Sequence, residues 1–359
     1  MRVVTVTGIR PDFIRMSEIF RKLDLSNDLE HVLVHTGQHY DKLLSDVFFE
    51  ELELRSPDFN LECGGGNHIE QGCKRDLALY KLIKKEKWGK DTLFLFLGDS
   101  NSVLSSIFLR KEGYKVGHIE SGQRSHDMRM AEECNRKCCD HMSHLAFCYH
   151  KDFIRNLKKE DFKGKSYDVG NTIVEPIKKW ADLDYKGSKD FILVDIHRPE
   201  NFLYPKRMKN ILDFCRLCSN WYQKPVKMLE FGRTFKYIKQ YGLSLDKIEV
   251  IPLMGYKKYL KAQQDAFLYI GDSGTSQEET PYLGTPTIVP RDYTERPQSV
   301  INKCSKHINV NSKDNIFFKD KKWLDCFLEN FKDRDLSWLG NGATSSQIVN
   351  IIHESNYSK

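Results

Sequence analysis

Three acidic residues, Asp99, Glu120 and Glu132, lie near the ends of successive apolar, β-branched runs. One histidine, His197, stands at the end of such a run later in the chain. Carboxylates gathered away from water raise one another's pKa, and such a set can give and take protons as acid and base. Each residue also has a plainer reading. Asp99, in Gly98-Asp99-Ser100-Asn101-Ser102, can cap the next helix. Glu132 and Arg136 are four apart, so on a helix they share a face and can form a surface ion pair. His197, in Asp195-Ile196-His197-Arg198-Pro199-Glu200-Asn201, can be a buried histidine with its hydrogen bonds met. The carboxylates are harder to dismiss together than singly.

Two further stretches suit an anion. Gly8-Ile9-Arg10-Pro11-Asp12-Phe13-Ile14-Arg15 is a glycine turn feeding a helix start. Its free N–H groups, with Arg10 and Arg15, can hold phosphate or a developing negative charge; a plain strand–helix turn is the alternative. Gly271-Asp272-Ser273-Gly274-Thr275-Ser276-Gln277-Glu278-Glu279 is more specific. Its small turn Ser273-Gly274-Thr275 lets backbone N–H groups approach a phosphate, and Glu279 can accept hydrogen bonds from ribose hydroxyls. With Arg291 to Pro297, which include Arg296, it reads as a nucleotide-diphosphate clamp. It is neither a P-loop nor a dinucleotide fingerprint. Cys138, His141, His144 and Cys148 are zinc-ligand types, but without the usual paired spacing. Cys215 and Cys218 fall inside an apolar helical pattern. The expectation is no metal.

The elements that must position these residues alternate. Strand-like runs cover 3–7, 31–35, 92–97 and 115–119, with helical patterns between them at 13–23 and 40–52. The pattern restarts with runs at 191–196, 226–231, 266–270 and 287–289. Strand–helix alternation is the signature of a parallel sheet covered on both faces. The fold class is therefore α/β, with two Rossmann-like doubly wound domains joined near residues 170–176. Ligands of open α/β sheets bind beyond the carboxyl ends of strands, where nearly all these polar residues fall. Two such sheets facing each other would make a cleft with functional groups on both walls.

Composition agrees with this. The chain has 359 residues, about right for two domains. With 56 Lys+Arg against 50 Asp+Glu, the formal charge is +6, too small a surplus for a dedicated nucleic-acid binder. Hydrophobic residues make up 40%, which excludes wholesale disorder, and no apolar run approaches the roughly 18–20 residues of a membrane span. The 10 cysteines do not form a disulfide framework, and reduced thiols in the cytoplasm are expected.

Taken in order, these motifs resemble the non-hydrolysing UDP-N-acetylglucosamine 2-epimerases. The match runs through Gly8–Arg15, Thr36-Gly37-Gln38-His39, Gly98-Asp99, Gly117–Gly122, Glu132–Arg136, His197-Arg198, Asp272–Glu279 and Thr294-Glu295-Arg296-Pro297. The resemblance implies a GT-B-like pair of domains at 1–172 and 173–343, with a final helix at 344–359 returning to the first. It implies inversion at C2 of a UDP-linked 2-acetamido sugar, by UDP elimination to a 2-acetamidoglycal and re-addition. Asp99, Glu120 and Glu132 would be the acid/base groups, with His197 near the leaving phosphate. Arg10, Arg15, Gln38, Arg136, Arg198, Ser273, Gly274, Thr275 and Arg296 would bind substrate. Glu279 would contact ribose and Tyr259 would stack on uracil. No cofactor is implied, and a cytoplasmic homodimer is. His35-Thr36-Gly37-Gln38, the short connection from Arg124 to Glu132 and the Ser-Gly-Thr turn resemble a subgroup acting on UDP-linked 6-deoxy-L-sugars. Phe231-Gly232 stands where that family has a His-Pro-like turn. A UDP-GlcNAc/UDP-ManNAc epimerase, a GT-B glycosyltransferase, a hydrolysing epimerase and a non-catalytic UDP-sugar sensor are the alternatives.

Overall fold

In the computed structural model the described residues are 1–37, 49–65 and 67–357. Most of the helix expected over 40–52 lies outside them. The chain divides into two compact units. One is Met1–Pro176 with Leu339–Lys359, and the other is Ile177–Trp338.

The first unit is built on β1 (Arg2–Thr7), β2 (Glu30–His35), β3 (Phe59–Asn60), β4 (Leu93–Leu97), β5 (Lys115–Ile119), β6 (Leu145–Cys148) and β7 (Lys165–Asp168). Among the described residues they form one parallel sheet in the order β3-β2-β1-β4-β5-β6-β7. The β4 sequence, Leu-Phe-Leu-Phe-Leu, is buried at every residue. That is what a strand covered on both faces requires, since neither set of alternate side chains meets water. The order reverses between β1 and β4. Right-handed crossovers then place helices on opposite faces to either side of that point, leaving a crevice above it. The Gly8–Arg15 turn leaves β1 and Gly98-Asp99 leaves β4, so both flank this crevice.

The second unit carries β8 (Phe191–Asp195), β9 (Val226–Leu229), β10 (Ile248–Ile251), β11 (Ala266–Gly271), β12 (Thr287–Val289) and β13 (Ser305–His307). These are parallel in the order β10-β9-β8-β11-β12-β13. Here the reversal lies between β8 and β11, the strands that end in Asp195–His197 and Gly271–Thr275. The core packs Ile192, Val194, Ile211, Met228 and Ile270 together. Cys215 and Cys218 are wholly buried within it, so the C-x-x-C is packing. All ten cysteines are free. No helix among the described residues is long and apolar enough to cross a membrane.

The chain passes between the units twice, and the two passages lie side by side where they enter the first unit. The Asn171 N–H donates to the Leu339 carbonyl at 2.9 Å. Gly170 and Gly340 both have positive φ, at 76° and 81°. A Cβ on Gly340 would stand 2.9 Å from the Gly170 Cα, so glycine is required there by both conformation and space. The final helix, Thr344–Tyr357, packs against the helix Arg10–Asp24. Its first turn is tied down by Glu175, which accepts from the Ser345 N–H at 3.0 Å and the Ser345 hydroxyl at 2.6 Å. Gly340→Ala should therefore cost roughly 1–3 kcal/mol of stability in chemical denaturation. An unchanged midpoint would show that the close approach is not needed.

Candidate active site

In the first unit, β4 and β5 deliver two carboxylates from adjacent ends. Asp99 follows Gly98, whose φ of 72° turns the chain out of β4. Its carboxylate pairs with Arg136, which is fully buried on the helix Ala131–Met142 and also donates to Glu133 Oε2 at 2.8 Å. Asn135, on the same helix, donates to the Asp99 carbonyl at 2.9 Å. The 3-10 turn that follows begins at Ser100, without a side-chain cap, so the Asp99 carboxylate is turned to Arg136 and not to helix capping.

Glu120 follows β5 with a φ of 68°, a left-handed conformation that strains a residue with a Cβ. Such strain persists only where surroundings enforce it. Its carboxylate is buried and lies 3.3 Å from Arg15, which is equally buried. Arg15 also donates to Asn171 at 3.3 Å, and its guanidinium sits 5.9 Å from the Tyr149 ring centre. Arg10 begins the same helix and is half-buried. Of the paired glutamates, Glu132 is partly exposed. Glu133 is the structural one. It is wholly buried and accepts from the Ser125 N–H and hydroxyl, both at 2.9 Å, besides Arg136.

Asp12 is a site residue that the sequence reading passed over. It is buried and accepts the Gly8 and Ile9 N–H groups at 2.8 and 3.1 Å, which shapes the turn presenting Arg10. Burial pushes its pKa up to about 7, against the two amides, and the charges of Asp99 and Glu120 add to the rise. An acidic residue two places into a helix would have signalled the amide contacts, but not the carboxylates opposite.

In the second unit, His197 ends β8 with a third of its side chain exposed, and Nδ1 lies 2.7 Å from Asp195 Oδ1. The other Asp195 oxygen accepts from the Tyr259 hydroxyl at 2.7 Å and the Tyr269 hydroxyl at 2.9 Å. Asp272, at the β11 end, accepts the His197 and Arg198 N–H groups, both at 3.0 Å, and the Asn201 amide at 2.8 Å. Burial by itself would lower the His197 pKa. The Asp195 charge, then the Asp272 charge, outweighs it and raises the value above 6.5. Asp195 is held below its ordinary value: burial opposes ionisation, and the His197 charge and hydrogen bond overcome it. With Nδ1 committed to Asp195, Nε2 is the nitrogen left to face a ligand. Phe231, in place of the expected His-Pro-like turn, packs on the imidazole with ring centres 4.9 Å apart.

The remaining predicted residues are distributed as follows. Gln38 lies outside the described residues. Tyr259, expected at uracil, has its hydroxyl anchored on Asp195. Arg198 is half-buried beside His197. Ser273 and Thr275 are half-buried at the β11 end, with Gly274 buried between them. A Cβ on Gly274 would stand 2.4 Å from Arg296 Nη1, so glycine leaves room for that side chain. Arg296 is buried and ion-paired with Glu278, at 2.9 Å, and with Glu295. Glu279 is buried and accepts from Gln263 at 3.0 Å. One atom each of Asp195, His197 and Asp272 lie within 4.8 Å of one another, a possible cation set. N–H and O–H donors already occupy the two carboxylates, which fits a hydrogen-bonded cluster better.

The sequence profile of the UDP-N-acetylglucosamine 2-epimerase family matches residues 21–353. The UDP-N-acetylglucosamine 2-epimerase of Methanocaldococcus jannaschii is 33% identical over 99% of this chain and 100% of its own. Its crystal structure in complex with UDP-GlcNAc and UDP aligns with a TM-score of 0.86, at 32% identity, over 99% of this chain and 100% of that one. The UDP-2,3-diacetamido-2,3-dideoxy-D-glucuronate 2-epimerase of Pseudomonas aeruginosa is 31% identical over 98% of this chain and 99% of its own. The two parallel doubly wound units are thus those of GT-B-like epimerases.

Asp195→Asn should lower the His197 midpoint in an NMR titration of the histidines, because it removes the larger of the two raising charges. By linkage, a raised histidine pKa adds stability that is present below about 6.5 and lost as pH rises through the folded value. The variant should lose part of that low-pH stability. An unmoved midpoint would separate the two residues.

Proposed function

Since the chain belongs to the UDP-N-acetylglucosamine 2-epimerase family, a family of isomerases, we propose that it inverts C2 of a UDP-linked 2-acetamido sugar by eliminating and re-adding UDP. What carries this reading is the placing of Asp99 and Glu120. They come from neighbouring strand ends, and each is held by a buried arginine. A sensor needs no proton-transfer group, and a glycosyltransferase would not need the full set of Asp99, Glu120 and Glu132.

The C–H at C2 of such a sugar is not acidic, so direct deprotonation is closed. Breaking the C1–O bond to UDP as the C2 proton leaves gives a 2-acetamidoglycal. Return of a proton to the other face, with re-addition of UDP at C1, gives the epimer. Two faces call for at least two proton-transfer groups, and Asp99, Glu120 and Glu132 supply them. The departing diphosphate carries the charge, so it needs cations and N–H donors in place beforehand. His197, held by Asp195 through Nδ1, serves one phosphate oxygen from Nε2. Arg10, Arg198 and the Ser273–Thr275 turn serve others, and Glu279 takes the ribose. Every step conserves oxidation state over the whole cycle, so no redox cofactor is called for.

Two sugars are the candidates. The short connection from Arg124 to Glu132 and the Ser-Gly-Thr turn favour a 6-deoxy-L-sugar, in the sense UDP-N-acetyl-L-rhamnosamine to UDP-N-acetyl-L-quinovosamine. The M. jannaschii relative, named for UDP-N-acetylglucosamine and solved with UDP-GlcNAc, favours that sugar. NMR of the products from each UDP-sugar, incubated separately, decides between them. Free sugar and UDP as final products would instead indicate a hydrolysing enzyme.

In deuterated water the epimer should carry deuterium at C2. Epimerisation without it would rule out proton exchange at C2 by the two-face mechanism. Glu120→Gln and Asp99→Asn should each lower turnover by about 10²–10⁴-fold while UDP still binds. Near-normal rates in both would overturn the assignment.

A further inference from the structure

His118 lies on β5, two residues before Glu120, and is completely buried. Its Nε2 is 2.7 Å from the carbonyl oxygen of Gly98, the residue before Asp99. A carbonyl only accepts, so Nε2 carries a hydrogen. Its Nδ1 is 2.6 Å from Asp140 Oδ1, on the helix Ala131–Met142. Asp140 already accepts from the Ser121 hydroxyl, from the Gly122 N–H at 3.1 Å and from Arg124 at 2.7 Å. It is therefore a carboxylate with no proton to give, and Nδ1 must carry a hydrogen too. Two acceptors on one ring require an imidazolium.

The surroundings can hold that charge. Asp140 and Cys139 face the ring from the helix, and Ser121 and Arg124 close the cluster from the loop after β5. Arg124 is itself matched by Glu160 at 2.6 Å, so two cations meet two carboxylates. Burial works against the charged ring. The Cys139 sulfur and the Asp140 carboxylate overcome it, and the pKa stands well above 6.5.

The Gly98 turn is thus gripped from both sides by β5. Its N–H donates to the Ile119 carbonyl at 3.0 Å, and its own carbonyl accepts from His118. Asp99 leaves that turn on one side and Glu120 leaves β5 on the other. We propose that His118 is a positioning residue for proton transfer, held permanently as an imidazolium, which bolts the Asp99 turn to Asp140 and to the strand that delivers Glu120. The inference rests on the reading of Asp99 and Glu120 as acid and base.

The test separates the two ring nitrogens. His118→Gln can place an amide N–H near the Nε2 position and keep the Gly98 bond, whereas His118→Asn reaches only the Nδ1 position. His118→Asn should lose about a hundredfold in kcat, with KM and UDP affinity little changed, and His118→Gln should recover about tenfold of it. Equal losses in the two variants, or full kcat in both, would overturn the positioning role. If neither variant folds, nitrogen NMR of the ¹⁵N-histidine wild-type protein at mildly alkaline pH decides. Both His118 nitrogens protonated supports the role, and one bare nitrogen refutes it. A wild-type enzyme that epimerises without placing deuterium at C2 would instead fail the acid/base reading, and the role of His118 would fall with it.

Discussion

A carboxylate buried away from water must be paired, because an uncompensated charge there costs several kcal/mol. Both units of this protein turn that requirement into position. Asp140 gathers the Gly122 N–H, Arg124 and His118 around itself, and so sets the loop that starts with Glu120. Asp272 takes the N–H groups of His197 and Arg198 and sets the loop after β8. Asp12 takes those of Gly8 and Ile9 and sets the turn that presents Arg10. In each case an aspartate collects the backbone of a loop that carries a side chain proposed to act on substrate. Loops so held act as rigid supports, which a proton-transfer site needs.

The same pairing distributes charge. Arg136 and Arg15 are buried against Asp99 and Glu120, so each carboxylate proposed as acid or base has a cation beside it. Asp195 is balanced differently: two tyrosine hydroxyls and one imidazole share it. Tyrosine hydroxyls donate without adding charge, and the Asp195 charge raises the His197 pKa. The overall +6 therefore says little about binding. Where individual arginines and carboxylates stand matters more than their sum.

Family membership and fold leave one local departure with physical content. Phe231 packs its ring on His197, where the resemblance implied a His-Pro-like turn. An aromatic ring there brings no hydrogen-bonding group to compete for the imidazole. On the proposed mechanism, the leaving phosphate would then rely more heavily on His197 Nε2.

Most of the architecture was legible from residues in order. Apolar runs ending in glycine or acid, spaced by helical patterns, dictate parallel strands with polar tips, because side-chain periodicity and turn chemistry are local properties. That logic located Asp99, Glu120, His197 and the Gly271–Thr275 turn at strand ends. It could not identify their partners. Arg15 meets Glu120 and Asp140 meets His118 only because β1, β4 and β5 are neighbours in the sheet and one helix lies in a particular register over them. Nor could it show that Glu133, and not Glu132, is buried to hold its own loop, or that Arg296 lies between Glu278 and Glu295. Residue type and spacing decide which groups reach the end of a strand. Strand order and burial decide which charges face one another there, and so which are free to act.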